Sequence, residues 1–146
     1  MAVRVDPSGR RWVSAEIQIP GPISRVWSAL ATAEGISAWF APTSFELGSD
    51  GAPRRITFNF GPASIDAVTV TAWNPPHSFV VQSSDFIPGG PPVTTKWNIH
   101  EASNQTCEVR VQHQLVADTD KWDAYLEGAE SGWLEFFANL KSHLSS

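Results

Sequence analysis

The chain has 146 residues, the size of one ordinary domain, with a single cysteine and a net charge of -5. That acidic balance argues against nucleic acid and anionic lipid surfaces, and a lone Cys107 forms neither an internal disulfide nor a cysteine metal site, so a reducing, cytoplasmic setting is expected. No window is long and apolar enough to insert in a membrane, and the start, MAVRVDPSGRRWVS, has no apolar run of signal-peptide length.

Residues 1–10 read as an extended or flexible lead into one domain spanning 1–146. In RWVSAEIQI, Val13, Ala15, Ile17 and Ile19 share one face of a half-buried strand that stops at Pro20-Gly21-Pro22. Ile23, Val26, Trp27 and Leu30 then recur at helical spacing, with Pro22 suited to the first turn, and a second short helix is expected around Ala33 to Phe40. From Ser44 the period drops to two. Strands are expected at 44–47, over RRITFNF, over 64–73, over 78–83, from Val93 to Ile99 and from Glu108 to Leu115. Turns at Gly48–Gly51, Gly61-Pro62 and Asn74–His77 separate them, and DFIPGGPPV is too rich in Pro and Gly for regular structure. The last element is a long helix that Asp118 or Thr119 can cap, its core stripe set by Trp122, Leu126, Ala129, Trp133, Phe136 and Leu140.

Three stretches, in this order and spacing, resemble one known family: IPGPISRVWSALATAEGISAWFAP, VTAWNPPHSF and EGAESGWLEFFANLKSHL. They are similar to the N-terminal segment, a strand–turn–strand and the C-terminal helix of the heat-shock-protein ATPase activator homologues. These belong to the START-like (SRPBCC) superfamily, and the similarity is to their bacterial branch. The resemblance covers nearly the whole chain. It implies an α+β helix-grip fold: a curved antiparallel sheet of six to seven strands wrapped on a long C-terminal α-helix, two short helices after the first strand, and a cavity between sheet and helix. Relatives of that kind bind apolar ligands, cyclise polyketides or act in self-resistance, so the fold alone decides no function.

Seven tryptophans and eight phenylalanines can fill such a core or wall a pocket for a flat apolar ligand. Trp39, Phe58, Phe60, Trp97 and Phe136 are the expected walls, with Trp73 and Trp133 in the core beside them. Gly128 and Gly132 sit one turn apart in the last helix, where each costs roughly 1 kcal/mol relative to alanine. Either they let the helix approach its neighbours closely, or with Ala129 they leave room for a guest. His113 lies on the apolar parity of its strand, either as a satisfied core residue or as a polar anchor or general base, and it is the sole catalytic candidate. Tyr125 is either a helix flank or a donor to a ligand. Of the strand-region acids, Asp66 is expected on the solvent face, and Asp85 sits in the Asp85–Pro92 loop, where Phe86 and Ile87 would gate the mouth.

No phosphate loop, metal-ligand spacing or Gly-x-Ser-x-Gly elbow occurs, so no cofactor and no metal are expected. The leading expectation is a protein that binds a small apolar molecule, in stress response or secondary metabolism. A cyclase-like or hydrolase-like enzyme would need a second titratable group beside His113 inside the cavity. A chaperone-related or homodimeric interaction module would use an exposed Trp12.

Overall fold

Among the described residues, eight strands pair antiparallel in a single sheet of order β1-β2-β8-β7-β6-β5-β4-β3, so the first long strand lies beside the last. The structure, a computed structural model, describes residues 3–62, 65–83, 87, 90–103, 105–116 and 120–145. The strands are β1 (Arg4–Val5), β2 (Arg10–Pro20), β3 (Thr43–Leu47), β4 (Pro53–Asn59), β5 (Ile65–Asn74), β6 (Ser78–Ser83), β7 (Val93–Ser103) and β8 (Thr106–Val116). After β2 come two short helices, α1 (Ile23–Ala31) and α2 (Ala33–Ser37), and the chain ends in the 22-residue helix α3 (Asp123–Leu144). This is the helix-grip arrangement, with one more strand than the expected six to seven. The addition is β1, whose two residues carry no periodic signal and which pairs with β2 through a turn. Asp6 holds that turn, its carboxylate accepting from the backbone N–H groups of Ser8 and Arg10, each at 3.0 Å.

Alternation decides which side of the sheet is dry. Cys107, Val109, Val111, His113 and Leu115 of β8 are buried, as are Val93, Thr95, Trp97 and Ile99 of β7. Over this face lie α1, through Val26, Ala29 and Leu30, and α3, through Phe137, Leu140 and Leu144. A second cluster joins Leu126 of α3 to Val13, Ile87, Val93 and Leu115. Burial pushes the Cys107 thiol upward from its ordinary value, which keeps it protonated and unreactive.

The helix ends are fixed differently from expectation. Pro22 is the residue before α1 rather than its first turn. A 3₁₀ turn, Asp120–Trp122, precedes α3, and the expected caps Asp118 and Thr119 lie outside the described residues. The start of α3 is instead tied to β2, where Arg11 donates to the Asp123 carboxylate from Nε (2.7 Å) and from a terminal nitrogen. Thr32 caps α2 by accepting from the Gly35 N–H at 2.9 Å. A Cβ at Gly35 would stand 1.7 Å from the Ser28 carbonyl oxygen, so the two helices can close on each other only at a glycine. Trp12, expected as an exposed contact anchor, is half-buried beneath the Arg4 guanidinium, 5.1 Å from its ring centre, because β1 folds back over it. Among the described residues, no helix is long and apolar enough to cross a membrane.

Candidate functional site

The aromatic side chains collect between the sheet and the helices. Trp97 stacks on Phe79 (ring centres 5.7 Å apart) and meets Trp133 of α3 edge-on at 5.1 Å. Phe136, one turn on, lies against Trp39 (4.7 Å) and Phe40 (4.9 Å). Phe40 in turn is edge-on to Phe58 (5.9 Å) and Phe60 (5.4 Å). These rings enclose a cavity of about 150 Å³. The sheet contributes Ile56, Phe58, Val68, Phe79, Val81 and Trp97, and the helical layer with its connections contributes Leu30, Ile36, Trp39, Phe40, Trp133 and Phe136. Phe40 and Phe60, 40% and 47% exposed, mark where the cavity meets solvent.

Among the described residues, two with polar side chains reach this cavity, Thr95 and Asp66. Asp66 shares the parity of buried Val68 and stands directly across from Phe58 in the β4–β5 register. It therefore lies on the cavity side, not on the solvent face expected of an aspartate in an alternating strand. Thr95 stands directly across from His113 in the β7–β8 register. Its hydroxyl is hydrogen-bonded to His113 Nδ1 at 3.1 Å, and His113 Nε2 is hydrogen-bonded to the Tyr125 hydroxyl at 2.8 Å. Burial lowers the His113 pKa to about 4 and pushes that of Tyr125 up to about 12. Both are neutral at pH 7. A neutral imidazole has one donor and one acceptor, so it bridges two hydroxyls by donating to one and accepting from the other.

His113, Tyr125, Ala129 and Gly132 line a second, more open groove of about 560 Å³ with Glu135 and Asn139, and it shares Phe40, Trp133 and Phe136 with the cavity. The expected site residues therefore divide. Trp39, Phe58, Phe60, Trp97 and Phe136 line the cavity, whereas His113, Tyr125, Ala129 and Gly132 line the groove across the Trp133–Phe136 wall. Thr95 lines the cavity and is hydrogen-bonded to His113, which lines the groove. Its place on the buried parity between Val93 and Trp97 is readable in the sequence, whereas nothing periodic marks Phe40. Tyr125 is a titratable partner for His113, but both sit in the groove and not inside the cavity. Ile87 packs in the second core cluster, while Phe86 and Asp85 lie outside the described residues. Among the described residues, no three His, Cys, Asp or Glu side chains converge as a metal site.

Close packing does not explain the two helix glycines, since a Cβ built at Gly128 or Gly132 meets nothing within 4 Å. Gly128 faces solvent and lines neither concavity, and Gly132 opens onto the groove. Gly128→Ala and Gly132→Ala are each expected to stabilise the protein by about 1 kcal/mol, raising the melting temperature by about 2–4 °C. Differential scanning calorimetry measures this, and a lowered melting temperature would show that the helix needs the missing side chains.

None of the curated proteins matches this chain. Among solved structures, DynU16, a protein of the dynemicin biosynthetic locus, is 18% identical with a TM-score of 0.72 over 92% of this chain, which spans 47% of the length of DynU16. CalU16 from Micromonospora echinospora is 18% identical with a TM-score of 0.73, over 98% of this chain and 82% of its own. A START superfamily protein from Mycobacterium smegmatis is 12% identical with a TM-score of 0.71, over 92% of this chain and 97% of its own. At these identities the likeness is one of fold. The sequence likeness is to a family described as Activator of Hsp90 ATPase homolog 1-like protein, whose model matches residues 20–145, and the chain belongs to that family.

Proposed function

We propose that this protein binds a small apolar, ring-bearing molecule in the cavity under Trp39, Phe40 and Phe136. The observation that carries this reading is an unfilled, almost wholly apolar space inside an otherwise close-packed aromatic core. Protein interiors leave few voids larger than a water molecule, because filling them gains dispersion and burial energy. An apolar cavity of about 150 Å³ is the size that accepts benzene. One ring fits the space as it stands, and a larger ligand would displace Phe40 or Phe60 at the mouth. The place of DynU16 in a biosynthetic locus and the START superfamily membership of the mycobacterial protein accord with a small-molecule role.

Toluene is the direct probe. It is expected to bind at 1:1 stoichiometry with a Kd of roughly 0.1–1 mM, well short of the ceiling for seven non-hydrogen atoms, as read by chemical-shift titration. Val81→Phe places a ring in the cavity and is expected to abolish binding without lowering the melting temperature, since Val81 lines that space. A wild-type protein with no saturable shift would overturn the reading. Native mass spectrometry of protein purified gently from its host, followed by organic extraction, then identifies the natural occupant.

A further inference from the structure

Among the described residues, Asp66 is the one in the cavity lining whose side chain carries a formal charge. Thr95, the other polar group there, is hydrogen-bonded to His113 through its hydroxyl. Asp66 is partly buried, and none of the ion pairs or hydrogen bonds among the described residues involves it. None of the described Lys, Arg or His residues lines the same space. An apolar occupant leaves this carboxylate without a partner. An occupant with a positive charge or an N–H would satisfy it. The surrounding rings favour the same sign. Phe58 stands directly across the β4–β5 pair from Asp66, and Phe40 and Phe60 complete an aromatic rim. Aromatic faces attract cations and repel anions. The net charge of -5 biases approach in the same direction.

We infer that the occupant is an apolar amine, with its hydrocarbon ring in the cavity and its cationic nitrogen between the Asp66 carboxylate and the faces of Phe58 and Phe60. This rests on the ligand-binding reading above and adds a charge to it. The mouth then selects for charge and the interior for shape.

Three probes of nearly equal size separate the two claims: N,N-dimethylbenzylamine, cationic at pH 7, neutral isopropylbenzene, and anionic phenylacetate. In the wild-type protein the amine is expected to bind about tenfold more tightly than isopropylbenzene, and phenylacetate about tenfold more weakly. Asp66→Asn keeps the side-chain shape, and it is expected to bring the amine within about twofold of isopropylbenzene while isopropylbenzene itself binds as before. Phe60→Leu, at a half-exposed position where folding is not at stake, is expected to cut the amine preference about threefold with Asp66 intact. If isopropylbenzene binds and the amine binds no better, the amine inference is overturned and the ligand-binding reading survives. If no probe binds, both are overturned.

Discussion

Phe137→Ala is expected to cost about 3–5 kcal/mol of unfolding free energy, as large as single core truncations become. Phe137 is 1% exposed and lies in the middle of α3, where it packs edge-on to Trp97 of the sheet at 5.9 Å. Deleting the ring removes its transfer energy and leaves a void that cannot collapse. Its ring neighbours are Trp97 of the hydrogen-bonded sheet and Phe136 of α3, which itself packs on Trp97. Domains of this size are stable by only about 5–15 kcal/mol, so the variant would retain a small margin. Phe137→Leu conserves most of the volume and is expected to cost less than about 1.5 kcal/mol. Urea unfolding at pH 7 compares the three proteins, and a loss under about 1 kcal/mol for the alanine variant would show that α3 is not clamped to the sheet at this point. The same contact fixes the height of Trp133 and Phe136 over the sheet, and hence the size of the cavity, so Phe137→Ala should also loosen toluene binding.

The second large effect is a pH dependence through His113. Its imidazole is 3% exposed, and burial lowers its pKa from 6.5 to about 4. In the unfolded chain it takes up a proton near pH 6.5, while in the folded protein it does not until about pH 4. Between these values the unfolded state binds more protons, so stability falls as pH falls. The full stability is present above about pH 6.5. By pH 4 the loss due to this residue is about 3 kcal/mol, since each tenfold difference in proton affinity between the two states is worth about 1.36 kcal/mol. His113→Gln retains one donor and one acceptor for Thr95 and Tyr125 and has no proton to gain. Its stability relative to wild type is therefore expected to improve by about 3 kcal/mol between pH 7 and pH 4, on urea unfolding at each pH. A constant difference would show that His113 titrates as it does in the unfolded chain. Imidazole proton shifts that stay neutral down to about pH 4 would confirm the effect from the native side.

The strands and the main helix were legible because their signals are local. The alternation of Cys107, Val109, Val111, His113 and Leu115 places all five on the buried face, and all five are buried. The four-and-three spacing from Leu126 to Leu140 likewise marks the stripe that α3 lays on the sheet, although the fully buried member of the Phe136–Phe137 pair is Phe137. Two-residue β1 was not legible, since nothing repeats within two residues. The helix glycines left two readings open, a close contact or room for a guest. Both face open space, whereas the glycine that does need to be one is Gly35, in a helix too short to show a pattern.

By itself, the sequence determined which residues alternate, which face of α3 is apolar, and the helix-grip order of elements, because periods of 2 and 3.6 are properties of a single segment. Only the tertiary structure decided that Thr95 lies across from His113, that Asp66 lies across from Phe58, and that the expected site divides into a cavity and a groove. Strand register and the seating of α3 bring these groups together from β4, β5, β7, β8 and α3. The size of the cavity is the small difference between the space those elements enclose and the volume of the side chains that fill it. No stretch of sequence contains that difference, since it depends on how every wall packs at once.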